Sequence, residues 1–433
     1  MMNNKPRVSL FLFAYQQQEF VAEAVSAALA QDYDNLQIVI SDDSSNDATV
    51  AKIKTLTDTY KGPHDVVVNV NPNNLGIGRH FQHIIDNLVD GELIVAAAGD
   101  DISAPQRVTR IVHEWLQHDR PDLVAHDLIE MNEAGHQVES DRAMQYRLQA
   151  DPTQLSLSER QQLYLQHPYP LPFIGAALAY SRSLYDRFDS PEFTPDYEDH
   201  LMYFRALMGG SMVYIREPLV YYRRHKSNFT NRNQAQPTQI ETITLGSQQV
   251  QITRSELGQY RLHRLVCQQY CDAVSALRKG LLAFDVDFFM RLYEKIHARH
   301  TQFLANQVHT SKSPVAESVQ PLPAVPYLPR IKIAIFGASA AGQKALSHLP
   351  QQFEVIAFVD NNTVLHGQHV ENIPIIAPAQ LSELPNPPDT ILIASTYYFP
   401  ILAQLTEQLG LPVQKTSRAP EFMVTHFREK LGT

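Results

Sequence analysis

Paired acidic residues follow two of the apolar runs in this sequence, and their position suggests metal chemistry. Asp42 and Asp43 directly follow the run LQIVIS, and Asp100 and Asp101 come after ELIVAAAG. Neighbouring carboxylates repel one another, and a divalent cation relieves that repulsion. Oxygen ligands suit Mg²⁺ or Mn²⁺, which proteins usually bind together with the phosphates of a substrate. We therefore expect a Mg²⁺ or Mn²⁺ ion at Asp101, with Asp100 beside it.

Each acidic turn also has an ordinary structural interpretation. The segment from Asp42 to Asp47 could be a polar turn in which Asp47 caps the next helix. Asp100 and Asp101 stand shortly before Pro105 and could simply mark the start of a helix. Taken alone, neither turn decides between a structural role and a chemical one.

Two further polar segments follow apolar runs of their own. Tyr15 comes after the first run, VSLFLFA, and residues 73–79, which include Asn74 and Arg79, come after DVVVNV. Arg79 could be a solvated helix residue. The case for a shared site rests on all four segments occurring in order, each after its own apolar run.

Regular elements must bring these four segments together. Helical patterns separate the apolar runs, at Glu19–Ala30, Asp47–Tyr60, Arg79–Leu88 and about Pro105–His118. Continuous apolar runs separated by helices are typical of buried parallel strands with crossover helices. Ligands of such sheets bind beyond the carboxyl ends of the strands. The pattern therefore predicts an α/β fold with its site at those ends.

The rest of the chain predicts further elements and a second domain. DLVAHDLIEMNEAGHQVES is typical of two strands around a glycine turn, FIGAALAYS of a strand, EDHLMYFRALMG of a helix, and SMVYIREPLVYYRRH of an extended segment. Two long amphipathic helices are expected at about Thr253–Lys279 and Asp285–Ala305. We predict a first domain over 1–235, a helical segment over 236–305, a Pro- and Ser-rich linker over 306–329, and a smaller α/β domain over 330–433.

Bulk composition excludes several classes of protein. The chain has 433 residues, 44% of them hydrophobic and 19% charged, which is typical of a soluble protein with more than one domain. A net charge of −10 argues against non-specific binding of nucleic acid. No apolar run approaches the roughly 18–20 residues of a transmembrane helix, and the N-terminus does not resemble a signal peptide. We expect a cytoplasmic protein, and peripheral association with the inner face of a membrane is compatible with this composition.

The chain has two cysteines, Cys267 and Cys271, four positions apart on a predicted helix. This spacing favours free thiols in a reducing compartment over a disulfide framework. A two-thiol metal site is disfavoured because no other soft ligands cluster nearby.

Over roughly residues 5–230, the sequence resembles the family-two inverting glycosyltransferases with the GT-A fold. The Asp-Asp-Gly-Ser-x-Asp turn of that family corresponds to residues 42–47, with Ser44 in place of glycine. Its aspartate-rich metal motif corresponds to residues 99–101. The resemblance implies that Tyr15 packs on the nucleotide base, that an acid of the Asp42–Asp43 pair recognises base and ribose, and that Asp101 binds the metal.

The same resemblance extends to three more segments. Asn74, Gly76 and Arg79 match a donor-binding segment of the family, which implies a phosphate or base contact for Arg79. Glu198 and Asp199 match its Glu-Asp motif, which holds the catalytic base. Residues 222–228 match its Tyr-Arg-x-His segment, in which the histidine, here His225, joins the metal or diphosphate site. The alternatives are that Glu198 and Asp199 are favourable charges at a helix start and that His225 is a surface residue.

The resemblance implies transfer of a sugar from a nucleoside-diphosphate donor of the UDP or dTDP type to a hydroxyl of a glycan, lipid-linked or protein acceptor. Inverting transfer is a single displacement, which needs a base for the acceptor proton and a cation for the departing diphosphate. A metal-bound carboxylate is a poor base, so two separate acidic motifs suit this chemistry. We expect Asp199 to be the base and Glu198 its supporting neighbour.

The C-terminal domain opens like a dinucleotide-binding fold. A buried strand precedes Gly337-Ala338-Ser339-Ala340-Ala341-Gly342, and Asp360 ends the next strand, at about the distance expected for a ribose contact. The segment resembles the small Rossmann-like domains appended to bacterial sugar-modifying enzymes. A docking role, nucleotide-sugar binding and redox chemistry all stay open. The rival functions are therefore an NAD-linked sugar oxidoreductase or epimerase, and an inactive glycan-binding scaffold.

Overall fold

The computed structural model describes residues 5–139, 155–166, 174–191, 194–208, 210–226, 228, 238–245, 248–282, 285, 287–295, 298, 328–395, 397–412 and 415–419. Within these residues the chain divides into two compact units. The first ends at Gln269, and the second contains Tyr270–Ala298 together with the described residues from 328 onward. Residues 306–327 of the predicted linker lie outside the described residues, and the predicted domain boundaries stay predictions.

The first unit is built on a mixed sheet. Among the described residues it has eight strands in the order β3-β2-β1-β4-β7-β6-β8-β5. The strands are β1 Val8–Ala14, β2 Leu36–Asp42, β3 Asp65–Val70, β4 Leu93–Ala98, β5 Ile102–Ser103, β6 Leu123–Asn132, β7 Leu178–Ser181 and β8 Met212–Arg224. Strands β3, β2, β1 and β4 are parallel neighbours. This confirms the predicted α/β class, and it brings the carboxyl ends of four strands to one edge of the sheet.

Helices connect these strands and cover the sheet. They are α1 Val21–Leu29, α2 Thr49–Asp58, α3 Ile77–Asn87, α4 Arg107–Gln117, α5 Leu157–Gln166, α6 Arg182–Asp186, α7 Glu198–Leu207 and α8 Arg254–Arg278. The core lies between helices and sheet, where Val25 and Trp115 pack with strand residues such as Ile38 and Val95. In α1 and α4 the buried positions recur at helical spacing, so one face of each is buried, whereas α7 is buried all round from Leu201 to Leu207.

The second half of the sheet is irregular. Strand β7 runs antiparallel to β4 and β6, and β5 runs antiparallel to β8. Strands β6 and β8 are parallel, and their register shifts on either side of Asp127, which is paired with Pro218. Proline has no N–H for the ladder, so an irregularity is expected there.

Three details differ from the sequence-based predictions. Strand β3 is half exposed rather than buried, because it lies at the edge of the sheet. The second strand expected after Gly135 is reduced to an isolated bridge between Met131 and Gln137. A hairpin of β9 Ile240–Leu245 and β10 Gln248–Thr253, which was not predicted, precedes α8. Cys267 and Cys271 do not form a disulfide with each other, as predicted.

The second unit has its own parallel sheet. Its described strands are in the order β13-β14-β12-β11-β15-β16, and all neighbours are parallel except β13 and β14. They are β11 Ile331–Phe336, β12 Phe353–Val359, β13 His369–Val370, β14 Ile373–Ile376, β15 Thr390–Ile393 and β16 Thr416–Arg418, and the helices are α9 (residues 287–295), α10 Ala340–His348 and α11 Tyr398–Ala403. The second, smaller α/β domain is thereby confirmed.

Candidate functional site

A cavity of about 430 Å³ lies at the carboxyl ends of β1, β2 and β4, beside the start of α7. Most of the predicted site residues line it: Tyr15, Asp43, Asn74, Asp100, Asp101, Glu198, Asp199 and His225. These residues come from six separate stretches of sequence. The topology gathers them because parallel strands end at the same edge of a sheet.

The acidic turn after β4 contains a buried carboxylate oxygen that lacks a partner. Asp101 is 5% exposed, and its Oδ1 accepts a hydrogen bond from the Arg223 backbone N–H at 2.8 Å. Its Oδ2 is buried and has no hydrogen-bond partner in the described part of the chain. Burial, and then the charge of Asp100, raise the pKa of Asp101 well above its usual value. An orphaned buried oxygen is costly and fits a cation ligand.

His225 lies beside this turn and is bonded to Asp100. Its Nε2 is 2.8 Å from Oδ2 of Asp100, and its ring packs on Phe20 with centroids 4.7 Å apart. Within the described ranges, no three His, Cys, Asp or Glu side chains form a cluster that could hold an ion alone. One or two carboxylates together with substrate phosphates are, however, the usual ligands of Mg²⁺. Asp101, with Asp100 and His225 beside it, fits that arrangement.

The buried side chain of Arg223 bonds to the backbone of the acidic turn. It is 1% exposed, and its Nε donates to the Asp100 carbonyl at 3.0 Å while its Nη1 donates to the Glu133 carbonyl at 2.8 Å. Its guanidinium forms an ion pair with Glu23 and lies 5.0 Å from the Phe20 ring centroid. Sequence reasoning gave Arg223 no separate role, although it stands in the Tyr-Arg-x-His segment.

Arg107 is a second buried cation, and sequence reasoning missed it. Its Nη2 donates to the carbonyls of Ala96 on β4, at 2.7 Å, and of Ala176, at 2.6 Å. Its Nε is 3.0 Å from Nε2 of His126. Burial lowers the pKa of Arg107 to about 9, while Asp101 opposes that change. Burial, followed by the charge of Arg107, holds the pKa of His126 well below its usual value. Arg107 thus joins β4 to the turn at 175–177, which lines the cavity.

Asp43 fixes the loop after β3. Its Oδ1 accepts from the Leu75 N–H and its Oδ2 from the Gly76 N–H, both at 2.9 Å. Asn74 donates to the Asp43 carbonyl at 3.2 Å. Gly76 has φ of +75°, which favours glycine. The carboxylate therefore shapes the wall of the cavity as well as lining it.

Two predicted residues do not line the cavity. Asp42 is 0% exposed, and its carboxylate accepts from the Ser45 N–H at 2.7 Å and from the Ser45 hydroxyl. It braces the turn in which Ser44 adopts φ of +67°, at the position where the family pattern has glycine. Arg79 is exposed on α3, as the alternative of a solvated helix residue predicts. Tyr15 lines the cavity with an exposed ring, 41% accessible.

His80 was not predicted as a site residue, yet it lines the same cavity. It is 3% exposed, and its Nε2 is 2.7 Å from the hydroxyl of Ser41. Burial lowers its pKa to about 4, although Asp43 acts in the opposite direction. The available signal was its place on the face of α3 that also carries the buried Phe81 and Ile84.

Glu198 and Asp199 open α7 and line the cavity. Oδ1 of Asp199 accepts from the His200 N–H at 2.8 Å. Burial, and then the charge of Asp199, raise the pKa of Glu198 well above its usual value. Just before them, Asp196 forms an ion pair with Arg261 at 2.9 Å. The two acids therefore share one environment, in which Glu198 favours the protonated form and Asp199 faces Gly175.

The second unit has a separate cavity of about 430 Å³, lined by Gly337, Ser339, Asp360 and Tyr397 among others. The carboxylate of Asp360 accepts from the N–H groups of Ala338 and Asn362, both at 2.9 Å. Its oxygens therefore hold the loop after β11, where sequence reasoning expected a ribose contact.

Comparison with known proteins agrees with this geometry. Residues 9–187 match the family described as "Glycosyl transferase family 2", and residues 330–416 match "C2185-like, N-terminal". EpsE of Bacillus subtilis (strain 168), which carries the name of a glycosyltransferase, is 26% identical over 134 residues, or 31% of this chain and 47% of its own length. An uncharacterized glycosyltransferase of Rickettsia typhi, RT0329, is 25% identical over 242 residues, or 56% of this chain and 71% of its own. The GT-A fold class and a glycosyltransferase domain are supported on this basis.

The similarity is partial. The chain spans 47% and 33% of the lengths of the first two curated relatives, the second being an uncharacterized glycosyltransferase of Haemophilus influenzae. Among solved structures, Staphylococcus aureus TarS 1-349 in complex with UDP-GlcNAc is 14% identical, with 72% of this chain and 77% of that chain covered and a TM-score of 0.44. Within the described residues, every helix is too short or too polar to cross a bilayer.

Proposed function

We propose that this protein is a metal-dependent, inverting glycosyltransferase that moves a sugar from a nucleoside-diphosphate donor to a hydroxyl acceptor. One observation carries the proposal. A single cavity is lined by an acidic turn with an orphaned carboxylate oxygen, at Asp101, and by a second acidic pair on another element, Glu198 and Asp199. The family match over residues 9–187 supports the reaction class.

The donor occupies the part of the cavity nearest β1, β2 and β4 in this proposal. Tyr15 supplies an exposed ring for the base, and Asp43, with the loop it holds, contacts the base and ribose. Asp101, supported by Asp100 and His225, would hold Mg²⁺ or Mn²⁺, and the ion would supply positive charge for the diphosphate. A bound divalent cation neutralises charge that develops on the departing diphosphate.

The acceptor enters beside the start of α7. Asp199 takes the proton of the acceptor hydroxyl as its oxygen bonds to the anomeric carbon. The bond from that carbon to the diphosphate oxygen breaks, and the configuration inverts. The raised pKa of Glu198 favours its protonated form, which leaves the negative charge of the pair on Asp199. Donors of the UDP or dTDP type and glycan, lipid-linked or protein acceptors belong to this proposal.

The test is a screen of nucleoside-diphosphate sugars with the full chain, with and without Mn²⁺. A ligand that binds the folded state raises the melting temperature, so the matching donor should raise it only with the metal. Release of nucleoside diphosphate and the anomeric configuration of the product, read by NMR, then test transfer and inversion. The proposal fails if the folded chain binds no donor in the presence of Mn²⁺, or if the product retains the donor's configuration.

A further inference from the structure

A chain of hydrogen bonds runs from Asp43 to His80 behind the cavity. Nδ2 of Asn71 donates to Oδ1 of Asp43 at 2.9 Å, and Nδ2 of Asn69 lies 2.8 Å from Oδ1 of Asn71. The same Nδ2 of Asn69 lies 2.9 Å from the hydroxyl of Ser41, which is 2.7 Å from Nε2 of His80. Ser41, Asn71 and His80 are each no more than 3% exposed, and Asn69 is partly buried, so most of this chain is shielded from water.

The carboxylate sets the direction of every bond in this chain. Asp43 accepts two backbone N–H groups, so it is an acceptor for Asn71 as well. Asn71 must therefore point its NH₂ at Asp43 and its oxygen at Asn69. Asn69 must in turn use both hydrogens of its NH₂, one for Asn71 and one for Ser41.

The hydroxyl of Ser41 then fixes the tautomer of His80. Ser41 accepts from Asn69, and among the described residues the other polar atom near its hydroxyl is Nε2 of His80. A buried hydroxyl donates its hydrogen where an acceptor exists, so Ser41 donates to Nε2. A neutral imidazole that accepts at Nε2 carries its hydrogen on Nδ1. In the described part of the chain, Nδ1 makes no hydrogen bond and is not among the fully buried polar atoms.

We propose that the Nδ1–H of His80, beside Asp43, donates a hydrogen bond to a carbonyl of the nucleobase of the sugar donor. Asp43 retains acceptor capacity at Oδ2, which takes a single N–H, from Gly76, among the described residues. A hydrogen-bond donor next to a hydrogen-bond acceptor complements the adjacent C=O and N–H groups on the edge of uracil, thymine or guanine. Cytosine and adenine present the reverse order, an amino group beside a ring nitrogen that accepts. The site therefore selects oxo bases over amino bases. This inference rests on the proposed function.

The test compares bases that differ at this edge: alone in the pair UDP and CDP, and together with the 2-amino group in the pair GDP and ADP. Calorimetry with the full chain and Mn²⁺ measures the affinity of UDP against CDP and of GDP against ADP. Inorganic pyrophosphate with Mn²⁺ reports the phosphate site without a base. In whichever pair the wild-type chain binds, its affinity for the oxo base should be about tenfold higher than for the amino base. This is the difference expected between a hydrogen-bonded edge and a mismatched one.

Variants separate base reading from folding. His80→Leu should lose about tenfold in oxo-base affinity, because one hydrogen bond is removed, and should leave pyrophosphate binding unchanged. His80→Asn places an amide N–H near the position of Nδ1 and should keep part of the preference. His83→Leu, on the same helix but outside the cavity lining, is the matched control. Melting temperatures identify any variant that is simply unfolded.

The outcomes distinguish the two proposals. If no nucleoside diphosphate binds the wild-type chain with Mn²⁺, the proposed function fails and this inference fails with it. If an oxo base binds but His80→Leu and His80→Asn both leave the preference intact, the inference alone is overturned. An equal loss for oxo base, amino base and pyrophosphate in a folded His80→Leu variant also overturns it. As an independent check, ¹⁵N shifts of the imidazole should show the Nδ1–H tautomer in the wild-type chain and a mixture in Ser41→Ala.

Discussion

Asp199 packs directly against Gly175: a β-carbon built on Gly175 would lie 3.1 Å from Cβ of Asp199 and 3.2 Å from its Oδ2. Gly175→Ala should therefore displace the proposed base by a few tenths of an ångström. Because transfer depends on the position of the base, we expect about a tenfold lower rate with unchanged donor affinity. Gly258→Ala is the control, since a β-carbon there meets nothing within 4 Å. Equal rates for wild type and Gly175→Ala would contradict close packing at the base.

Asp199→Asn keeps the shape of the side chain and removes its basicity. Loss of a positioned base typically costs about 10²–10⁴ in rate, whereas binding of the donor, measured by calorimetry, should barely change. Glu198→Gln should have the smaller effect, because the raised pKa of Glu198 already favours its neutral form. If Glu198→Gln is the inactive variant and Asp199→Asn transfers sugar normally, the roles are reversed.

Asp101→Asn should abolish the stabilisation that a nucleoside diphosphate gives in the presence of Mn²⁺. The orphaned Oδ2 of Asp101 is the proposed metal ligand, and an amide is a much weaker one. The measurement is the melting temperature with Mn²⁺ alone, with nucleotide alone and with both. Asp90→Asn, an exposed acid away from the cavity lining, is the control. Undiminished Mn²⁺-dependent stabilisation in Asp101→Asn would rule out this ligand.

The contribution of His80 to the free energy of unfolding should fall as the pH is lowered from 6.5 towards 4, whereas Asp101 and Glu198, with raised pKa values, act in the opposite direction. The pKa of His80 is about 4 in the folded chain against 6.5 ordinarily, so the unfolded chain binds the extra proton in this window. Relative to the protonated state, this shift favours the fold above pH 6.5 by on the order of 3 kcal/mol, and that contribution is lost progressively as the pH falls from 6.5 through 4. As the pH is lowered over this window, urea unfolding should show a free energy of unfolding that falls less, or rises more, in His80→Asn than in the wild-type chain. His126 should leave a residual slope, because its pKa is also lowered.

A shortened chain that ends near Ser311 should retain donor binding. Every residue named above for the cavity of the first unit precedes that point, and the second unit has its own sheet and cavity. We expect a lower melting temperature, because Arg278 loses its ion pair with Asp389, 3.1 Å away. Loss of donor binding by a shortened chain that circular dichroism shows to be folded would assign part of the donor site to residues 312–433.

The sequence predicts those parts of the site that are local. The four segments that follow strands, and the acidic pair at the start of α7, are visible because each motif sits beside its own element. Adjacent side chains at a strand end point in opposite directions, however. Which of Asp42 and Asp43 would face the cavity was therefore not decidable from spacing, and Asp42 turned inward to brace Ser45.

The residues that were missed act through contacts distant in sequence. Arg107 reaches Ala176, and Arg223 reaches Glu23 and Asp100, over separations that no periodic pattern encodes. The hairpin of β9 and β10 was not missed for this reason. Its strands, IETITL and QQVQIT, flank the dipeptide Gly246-Ser247, which is a recognised signal for a two-residue hairpin turn, so this element was predictable from the sequence.

The carboxylate of Asp43 holds the amides of Leu75 and Gly76 through bonds made within the chain itself. A loop that is already ordered loses little conformational entropy when a nucleotide arrives. Its amide hydrogens should also exchange with deuterium more slowly than those of ordinary surface loops, since exchange requires these bonds to open. In the free protein, slow exchange of these two amides would show that the base site is preformed. The loop would then be ordered before the nucleotide binds rather than ordered by it.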